Sequence, residues 1–486
     1  MNKPLLLISF FIGTILLVVP IDAQEKEFNL TKAQMYADFD TLYFNIKTIS
    51  PQSELRKKVI GIDILKEVKQ LRSEIDTVTT DAGFYDIITR ALFLCQNPHT
   101  SLAFSFPDSS AVAASNKWSK YYRYGYNQKK AILYISGHYY TPPILDKEGM
   151  IRIPGGSRIT AISGIPIDKY MSKWNRLMQN NTCWDSKLKK YYSLDLNDPR
   201  TLGISDHYTW TYSYQGKQAT VDVADTRVQP YAGSGYFDYK VSYFPKDGVL
   251  FIRIPQMNMS KTEFLRQEIL QYKGKEIRKV IMDVRGNGGG ADEVWMTLLG
   301  AILDENLDLP EVLTYKNKEY LKLDMTYENY SDSKVKITQI GRDTLYSYPL
   351  GRHISVGKET IAYKGPVYIL FDDRCFSSTL ALLSLCKYTD RLTSVGLPNG
   401  FIGGQGITPM YCCLDESKII FRVEKTLEGT QVRKSHLKDY FQTDIEIPLT
   451  LTYEAYGNKR DYKGYLYSED FLYNYDPMFQ KVVSLP

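Results

Sequence analysis

The residue best placed for chemistry is Ser377, which stands between a short apolar run and a helix-length segment. The run, Pro366 to Phe371, and the segment, Ser377 to Tyr388, are apolar enough to predict that both are buried and that their junction faces solvent. At a helix N-terminus, unpaired backbone N–H groups and the helix dipole can stabilise a developing oxyanion. Ser377 is therefore a candidate nucleophile for acyl transfer, although helix capping by Ser377 or Ser378 is the commoner explanation of a Ser in such a place.

A second stretch, Lys279 to Gly290, predicts an apolar strand that runs into a glycine-rich turn. The turn, residues 286–290, has four glycines in five residues. Glycine lets the backbone approach a ligand closely and present its N–H groups. Phosphate or nucleotide binding is an alternative, but the spacing matches neither the P-loop nor the dinucleotide fingerprint. The pattern favours an oxyanion cradle, and these five residues are called the glycine turn below.

Together the two stretches resemble the tail-specific, or C-terminal-processing, serine peptidases and their tricorn-core relatives. Residues 283–290 match the family's D-x-R-x-N-x-G-G strand end, and Cys375-Phe376-Ser377 matches its T-F-S-like elbow. Arg391 and Val395-Gly396 stand at the family's distance downstream. The resemblance implies a crotonase-like (ClpP/crotonase type) α/β protease domain with a mostly parallel sheet and Ser377 as its nucleophile.

The resemblance extends to His99, which occupies the place of the family's D-x-H-T turn. His99 follows a proline that stops a helix, and this favours an exposed loop. In tricorn-like members the His of this turn is the general base, so the resemblance implies this role for His99. Members with a Ser-Lys dyad carry a Lys where this chain has Ile402, which favours a Ser-His mechanism instead.

The resemblance also implies the groups that would support this pair. The oxyanion would rest on backbone N–H groups of Gly288 or Gly289 and of Ser378. The carboxylate that orients the imidazole is less evident, because the family's Glu falls in a segment, residues 433–440, without a clear Glu. The candidates for this role are Asp439, Glu428 and, as a non-carboxylate, His436. The mechanism requires no metal and no cofactor.

The elements that must position these residues form three predicted domains after a signal peptide. Residues 1–23 combine a basic start, an apolar run and a small final residue, which is typical of a cleaved secretory signal. We therefore expect an exported protein, periplasmic or secreted, with no membrane span after cleavage. Residues 24–108 carry apolar residues at helical spacing and predict a helical domain that ends in the His99 turn.

The other two predicted domains are rich in strands. Residues 119–230 include a segment, 154–170, that resembles the hairpin and helix of PDZ domains, which bind an extended peptide at a sheet edge. A purely structural module is an equally good interpretation. Residues 235–486 alternate strands and helices and predict a mostly parallel sheet, with an inserted hairpin or lid at 313–359. The predicted fold class is thus multidomain, α+β and α/β.

Composition agrees with a large globular protein and limits its partners. The chain has 486 residues, 43% of them hydrophobic, which is too long for one typical core. A net charge of +5 without a basic cluster interleaved with aromatic residues argues against nucleic acid as a partner. The six cysteines match no zinc motif, and we expect mostly buried free thiols with at most one disulfide. The oligomeric state stays open.

The function that these features predict is that of an exported serine endopeptidase acting on protein or peptide substrates through an acyl-enzyme. One alternative is a catalytically weak or inactive pseudoprotease that binds peptides or serves as a scaffold. Leu380 and Leu397 favour it mildly, because the family usually carries acids at these positions. A second alternative is a Cys-His hydrolase that uses Cys375.

Overall fold

The computed structural model describes residues 30–104, 106, 109–118, 121, 129–325, 330–398, 400, 409–430, 437, 440 and 445–486. The predicted signal peptide, residues 1–23, lies outside the described residues, and so do Ile402, His436 and Asp439. Within the ranges given, no helix is long and apolar enough to cross a membrane.

The N-terminal part is helical, as its apolar spacing predicts. Its helices are Lys32–Ile49, Ser53–Ile60, Ile64–Leu71 and Asp81–Leu94. The first helix begins with a capping box, in which Thr31 accepts from the backbone of Gln34 and the Gln34 side chain accepts in return. Its buried stripe, which includes Phe39 and Leu42, belongs to one hydrophobic cluster with the helix Asp81–Leu94 and with Phe421. The helices therefore share a core with a strand more than three hundred residues further along the chain.

Polar contacts strengthen this connection. The buried carboxylate of Asp38 accepts from the backbone N–H groups of Glu416, at 3.0 Å, and Ser417, at 2.7 Å. The indole of Trp118 donates to the Ser417 carbonyl at 2.8 Å. The strand Ser101–Leu102 then pairs antiparallel with Ile420–Val423, which in turn pairs with Met410–Cys413. These contacts hold the loop that contains His99 beside the residues that follow Val423.

The middle part is built on an antiparallel sheet. Its strands, in spatial order, are Lys217–Asp222, Thr209–Tyr214, Arg158–Ile162, His138–Tyr140 and Leu133–Ile135, with Ile165–Pro166 paired to the third. Gln215 and Gly216, with φ values of 48° and 76°, form a two-residue hairpin loop, for which positive φ suits the strand twist. Buried residues around Trp210 form the core. The resemblance to a PDZ domain stays a prediction.

A six-stranded sheet, called the central sheet, carries the candidate chemistry. Its strands lie in chain order: Lys240–Phe244, Val249–Arg253, Lys279–Asp283, Val367–Phe371, Leu392–Gly396 and Ile447–Pro448. The first pair is antiparallel and the others are parallel, which confirms the prediction of a mostly parallel sheet. Every residue of Val249–Arg253 and Val367–Phe371 is buried, as expected for strands covered on both faces. The covering helices include Thr262–Leu270, Asp292–Ile302 and Ser378–Cys386.

The insert predicted at 313–359 contains the expected hairpin, Lys336–Ile340 with Asp343–Pro349. This hairpin is part of a four-stranded sheet with Val312–Tyr315 and Thr426–Glu428. Its strand Thr426–Glu428 begins three residues after the end of Ile420–Val423, the strand that pairs with Ser101–Leu102 next to His99. The insert is therefore bonded to the candidate site region instead of standing free as a separate lid.

The remaining elements are short. The strands are Lys130–Ala131, Ile144–Leu145, Ile151–Ile153, Cys183–Asp185, Lys190–Tyr192, Asp195–Leu196, Arg227–Val228, Leu307–Leu309 and Arg352–Ile354. The helices are Ser109–Asn116, Ile167–Lys169, Lys318–Asp324, Tyr453–Asp461, Glu469–Tyr475 and Pro477–Val483. The last three pack against one face of the central sheet.

A buried ionic cluster joins the C-terminal helices to the glycine turn. Asp476 caps the helix Pro477–Val483 and binds Arg285 through both oxygens, at 3.0 and 2.6 Å. Arg285 also binds Asp283 at 2.9 and 2.7 Å. Burial alone would raise the pKa of Asp283, but the guanidinium groups of Arg285 and Arg253 hold that pKa well below its usual range. Arg285, the residue before the glycine turn, is therefore fixed by ion pairs with Asp283 and Asp476.

We expect Asp476→Ala to lower the free energy of unfolding by about 3 kcal/mol, because it removes a helix cap and leaves a buried guanidinium half paired. Urea denaturation measures this change. Glu469→Ala, which removes an exposed acid from the preceding helix, is the control and should cost less than about 1 kcal/mol. Equal stability of the two variants would contradict the structural role given to Asp476.

Candidate active site

Ser377 ends a short loop between the strand Val367–Phe371 and the helix Ser378–Cys386. Its backbone has φ 55° and ψ −126°, a conformation that residues other than glycine rarely adopt and that collects at functional sites. The Ser377 side chain makes no capping hydrogen bond to the helix that follows. Helix capping therefore does not account for its hydroxyl, which is free to act elsewhere.

The hydroxyl of Ser377 lies beside His99, which comes from the opposite end of the chain. His99 Nε2 is 3.1 Å from Ser377 Oγ. The imidazole is packed against the ring of Phe376, with centroids 4.9 Å apart. The His99 backbone N–H donates to Asn97 Oδ1 at 2.8 Å, and the Asn180 side chain donates to two carbonyls of the same loop. The structure thus brings His99 and Ser377 into hydrogen-bond distance, and these contacts fix the loop that contains His99.

The second nitrogen of the imidazole faces a buried carboxylate. His99 Nδ1 is 2.6 Å from Glu424 Oε2, and the Glu424 side chain is fully buried. Glu424 Oε1 accepts from both the N–H and the hydroxyl of Thr426, at 2.9 and 2.8 Å. The Glu424 backbone N–H donates to Thr100 Oγ1 at 3.0 Å. Every polar atom of this carboxylate is therefore matched to a donor.

Electrostatics favours a charged Glu424. Burial by itself would raise its pKa, but the hydrogen bond from His99, the proximity of that ring and the donors of Thr426 hold the pKa of Glu424 below its usual range. An ionised Glu424 accepts a proton-bearing Nδ1, a tautomer that we assign from the hydrogen-bond network. His99 Nε2 is then unprotonated and can accept the proton of the Ser377 hydroxyl.

The structure places Glu424, which is not among the residues predicted to orient His99, beside the imidazole, whereas Glu428 binds elsewhere. Its buried carboxylate instead accepts from the Thr430 N–H at 2.6 Å. Asp439 lies outside the described residues. The signal that could have found Glu424 is its position at the end of the predicted strand 419–423.

The glycine turn lies against the backbone of Ser377. A Cβ at Gly289, where φ is 103°, would lie 2.6 Å from Ser377 Cβ and 2.8 Å from the Phe376 carbonyl. Phe376 N–H donates to the Asn287 carbonyl at 3.1 Å, which joins the turn to the elbow directly. Glycine at 289 is therefore required for the approach itself.

The predicted oxyanion donors differ in availability. The Gly289 N–H donates to Asn287 Oδ1 at 2.8 Å and is thus occupied in this structure. The N–H groups of Gly288 and Ser378 have no acceptor in the part of the chain that the structure describes. Gly288 is exposed and Ser378 is the first residue of its helix. These two donors remain as the candidate oxyanion hole.

Cys375 is not placed as a nucleophile. Its thiol is fully buried and donates to the Val284 carbonyl at 3.2 Å. Burial raises the pKa of this thiol well above its usual range, which disfavours a thiolate. All six cysteines are described and none forms a disulfide, so the one bridge that the sequence allowed is absent.

Comparison with known proteins agrees with this geometry. The model of peptidase family S41 matches residues 248–446, the segment that contains Ser377, the glycine turn and Glu424. Similar solved structures include mature CPAF, at 15% identity and a TM-score of 0.57 over 89% of this chain and 95% of that chain. Mature CPAF complexed with lactacystin gives 15% identity and a TM-score of 0.56 over 93% and 98%. No curated protein matches the sequence.

At these identities the structural likeness concerns the fold alone. The family match adds the chemistry, because the matched segment carries the glycine turn and the Ser377 elbow in one α/β unit. Together they support a hydrolase of the serine-peptidase type. His99 lies outside the matched segment, so its place beside Ser377 is known from the geometry alone.

Gly289→Ala should disrupt the elbow, because its Cβ would overlap Ser377 Cβ in a backbone conformation that is already unfavourable. We expect at least a hundredfold slower reaction of Ser377 with a fluorophosphonate and a loss of roughly 1–3 kcal/mol in stability. Gly288→Ala is the matched control, since a Cβ there meets nothing within 4 Å. Its reactivity should change less than about threefold, given that the N–H remains. Equal effects at both positions would contradict the close approach.

Glu428 predicts a pH dependence of stability. Burial, with the nearby Glu311, raises the pKa of Glu428 to about 7, whereas an unfolded Glu titrates near about 4.3. The folded state holds the extra proton between these values, so stability falls as pH rises from about 4 to 7. Glu428→Gln removes this loss. The free energy of unfolding of the variant relative to wild type should therefore be higher at pH 8 than at pH 4 by up to about 3 kcal/mol.

Urea unfolding of wild type and Glu428→Gln across this pH range gives the difference directly. The exposed Glu148→Gln is the control and should show no such gain. If the difference in free energy of unfolding between wild type and Glu428→Gln does not change with pH, burial does not raise the pKa of Glu428 in the folded protein.

Proposed function

We propose that this protein is an endopeptidase that hydrolyses protein or peptide substrates through a Ser377 acyl-enzyme. The observation that carries the proposal is the continuous chain of contacts from Glu424 through His99 to Ser377, at 2.6 and 3.1 Å. A buried carboxylate, an imidazole and a hydroxyl in this order form the arrangement that activates a serine nucleophile. The match to peptidase family S41 supports peptide bonds as the target.

In this mechanism His99 Nε2 takes the proton of Ser377 Oγ as that oxygen attacks the scissile carbonyl carbon. Glu424 stabilises the imidazolium and keeps the ring in its orientation without becoming protonated. The oxyanion accepts from the N–H groups of Gly288 and Ser378. His99 then protonates the leaving amine, and a water molecule, deprotonated by the same imidazole, releases the acyl group.

The finer assignments follow from the sequence and from this geometry. The His99–Glu424 pair and the isoleucine at 402 support the tricorn-like branch and a Ser-His mechanism over a Ser-Lys dyad. The antiparallel sheet around Arg158–Ile162 supports a PDZ-like domain, which would bind an extended segment of the substrate. The basic and apolar pattern of residues 1–23 supports export to the periplasm or beyond the cell.

A fluorophosphonate, which reacts covalently with activated serines, tests the proposal. We expect labelling of the wild type, none of Ser377→Ala, and at least a thousandfold slower labelling of His99→Ala. Glu424→Gln keeps the size of the side chain but loses its charge, and should slow labelling about 10³–10⁴-fold. Mass spectrometry of the labelled peptide locates the adduct.

His353→Ala is the matched control, because His353 Nδ1 also lies 2.6 Å from a carboxylate, that of Asp308, but at the surface. Its labelling should equal that of wild type. No labelling of a folded wild-type protein would overturn the peptidase proposal and favour the pseudoprotease alternative. Equal labelling of Glu424→Gln and wild type would remove Glu424 from the mechanism.

A further inference from the structure

A cavity of ≈ 150 Å³ lies between the middle part, the central sheet and the C-terminal helices. Residues 131–134 and Leu194 contribute one wall, and the loop residues Asp372 to Arg374 a second. Lys459 and Arg460 of the helix Tyr453–Asp461 contribute a third. Ser377, His99 and Glu424 do not line it. The cavity is therefore separate from the candidate active site.

Three cationic side chains at this cavity have no carboxylate partner among the residues that the structure describes. Arg460 is 5% exposed, and its Nη1 has no hydrogen-bond partner in the same part of the chain. Lys459 Nζ lies 5.1 Å from the centre of the Tyr236 ring and forms no ion pair with any described residue. Arg374 donates one long hydrogen bond, 3.4 Å, to the Leu194 carbonyl. A buried donor without an acceptor is costly, so Arg460, with the half-buried Lys459 and Arg374 beside it, favours a ligand that supplies acceptors.

Two of the three carboxylates that line the cavity, those of Asp476 and Asp372, accept hydrogen bonds from the protein. Asp476 accepts from Arg285 through both oxygens and from the N–H groups at the start of its helix. Asp372 Oδ1 accepts from the N–H groups of Gly286, at 2.8 Å, and Arg374, at 3.1 Å. Asp373 remains, but burial and the neighbouring Asp372 raise its pKa to about 7, so it is partly neutral at neutral pH. Four cationic side chains line the cavity against three carboxylates, so the positive charges outnumber the negative ones.

The state of Lys459 agrees with a missing counter-ion. Burial and the nearby guanidinium groups of Arg285 and Arg253 lower the pKa of Lys459 to about 8. The carboxylates of Asp283 and Asp476 offset this effect in part, but both are committed to Arg285. An anion beside Lys459 would therefore gain from a charge that the protein leaves uncompensated.

We propose that this cavity binds a small organic carboxylate, whose oxygens accept hydrogen bonds from Lys459, Arg460 and Arg374. Its size suits a ligand of about six non-hydrogen atoms, since a cavity of similar volume holds benzene. The remaining wall is apolar or aromatic, which suits a short hydrocarbon body; it includes Leu397, Leu451, Tyr456 and Met478. A four-carbon acid such as butyrate has the required charge, length and apolar tail.

Occupation of the cavity would also reach the candidate active site. The ligand would contact the loop that begins at Asp372, and Ser377 ends the same loop. The Asp372 carboxylate holds the N–H of Gly286, the first residue of the glycine turn. A bound carboxylate is therefore positioned to change the rate at which Ser377 reacts. Binding of the carboxylate can be measured without any turnover of a substrate.

Butyrate, butyramide and inorganic phosphate distinguish the chemistry when titrated into the purified protein at pH 7 and constant ionic strength. Isothermal titration calorimetry measures binding, and the unfolding temperature provides a second readout. We expect saturable binding of butyrate with a rise in unfolding temperature, and no saturable binding of butyramide, which has the same shape without the charge. Phosphate should bind at least tenfold more weakly, because it cannot use the apolar wall.

Variants locate the site. Lys459→Met and Arg460→Gln should each weaken butyrate binding at least tenfold, whereas Lys463→Met, an exposed lysine just beyond the same helix, should leave it unchanged. If Arg460→Gln does not fold, Lys459→Met decides by itself. The inference is overturned if wild type shows no saturable binding of butyrate, if butyramide or phosphate binds equally well, or if Lys459→Met binds butyrate as wild type does. None of these outcomes depends on peptidase activity.

Discussion

The structure around Ser377 depends on one contact, the hydrogen bond between the imidazole of His99 and the buried carboxylate of Glu424. The two residues are separated by 325 positions, so local structure cannot bring them together. The Ser101–Leu102 strand pairs with the strand that precedes Glu424, and Asp38 and Trp118 secure the turn before that strand. The N-terminal helices thus serve the chemistry indirectly, because they hold the two segments in register.

A second constraint acts on the other side of Ser377. The glycine turn approaches the elbow so closely that its backbone leaves no room for a Cβ at 289. Its base is fixed by Arg285 between Asp283 and Asp476, and its tip by Asn287, which bonds Ile254, Phe376 and Gly289. The N–H groups of Gly288 and Ser378, which have no acceptor among the described residues, are therefore held in place by this network. Such preorganised donors are what stabilises a developing oxyanion.

Much of this arrangement was predictable from the sequence, and the exceptions have physical reasons. The alternation of apolar strands and helices indicates the parallel central sheet, and the motifs around Ser377 and His99 identify both residues by their resemblance to a family. Glu424 carries no such motif, and its one local signal, the end of the predicted strand 419–423, does not by itself select it over Glu428. The choice between them depends on which strand pairs with Ser101–Leu102. The sequence also does not indicate that the Asn287 side chain accepts from the Gly289 N–H, two residues later. Both contacts exist only after the chain has folded.

The large sequence separation of His99 and Glu424 has a consequence for biosynthesis. At a synthesis rate of about 5–20 residues per second, roughly 16 to 65 s pass between the addition of His99 and that of Glu424. During this interval the nucleophile, when it has been made, has an imidazole that is not yet oriented. Because closing a loop of this length is slow compared with forming local helices, the site is also completed late in folding. A chain that has not yet reached Glu424 therefore contains His99 without the carboxylate that orients its imidazole.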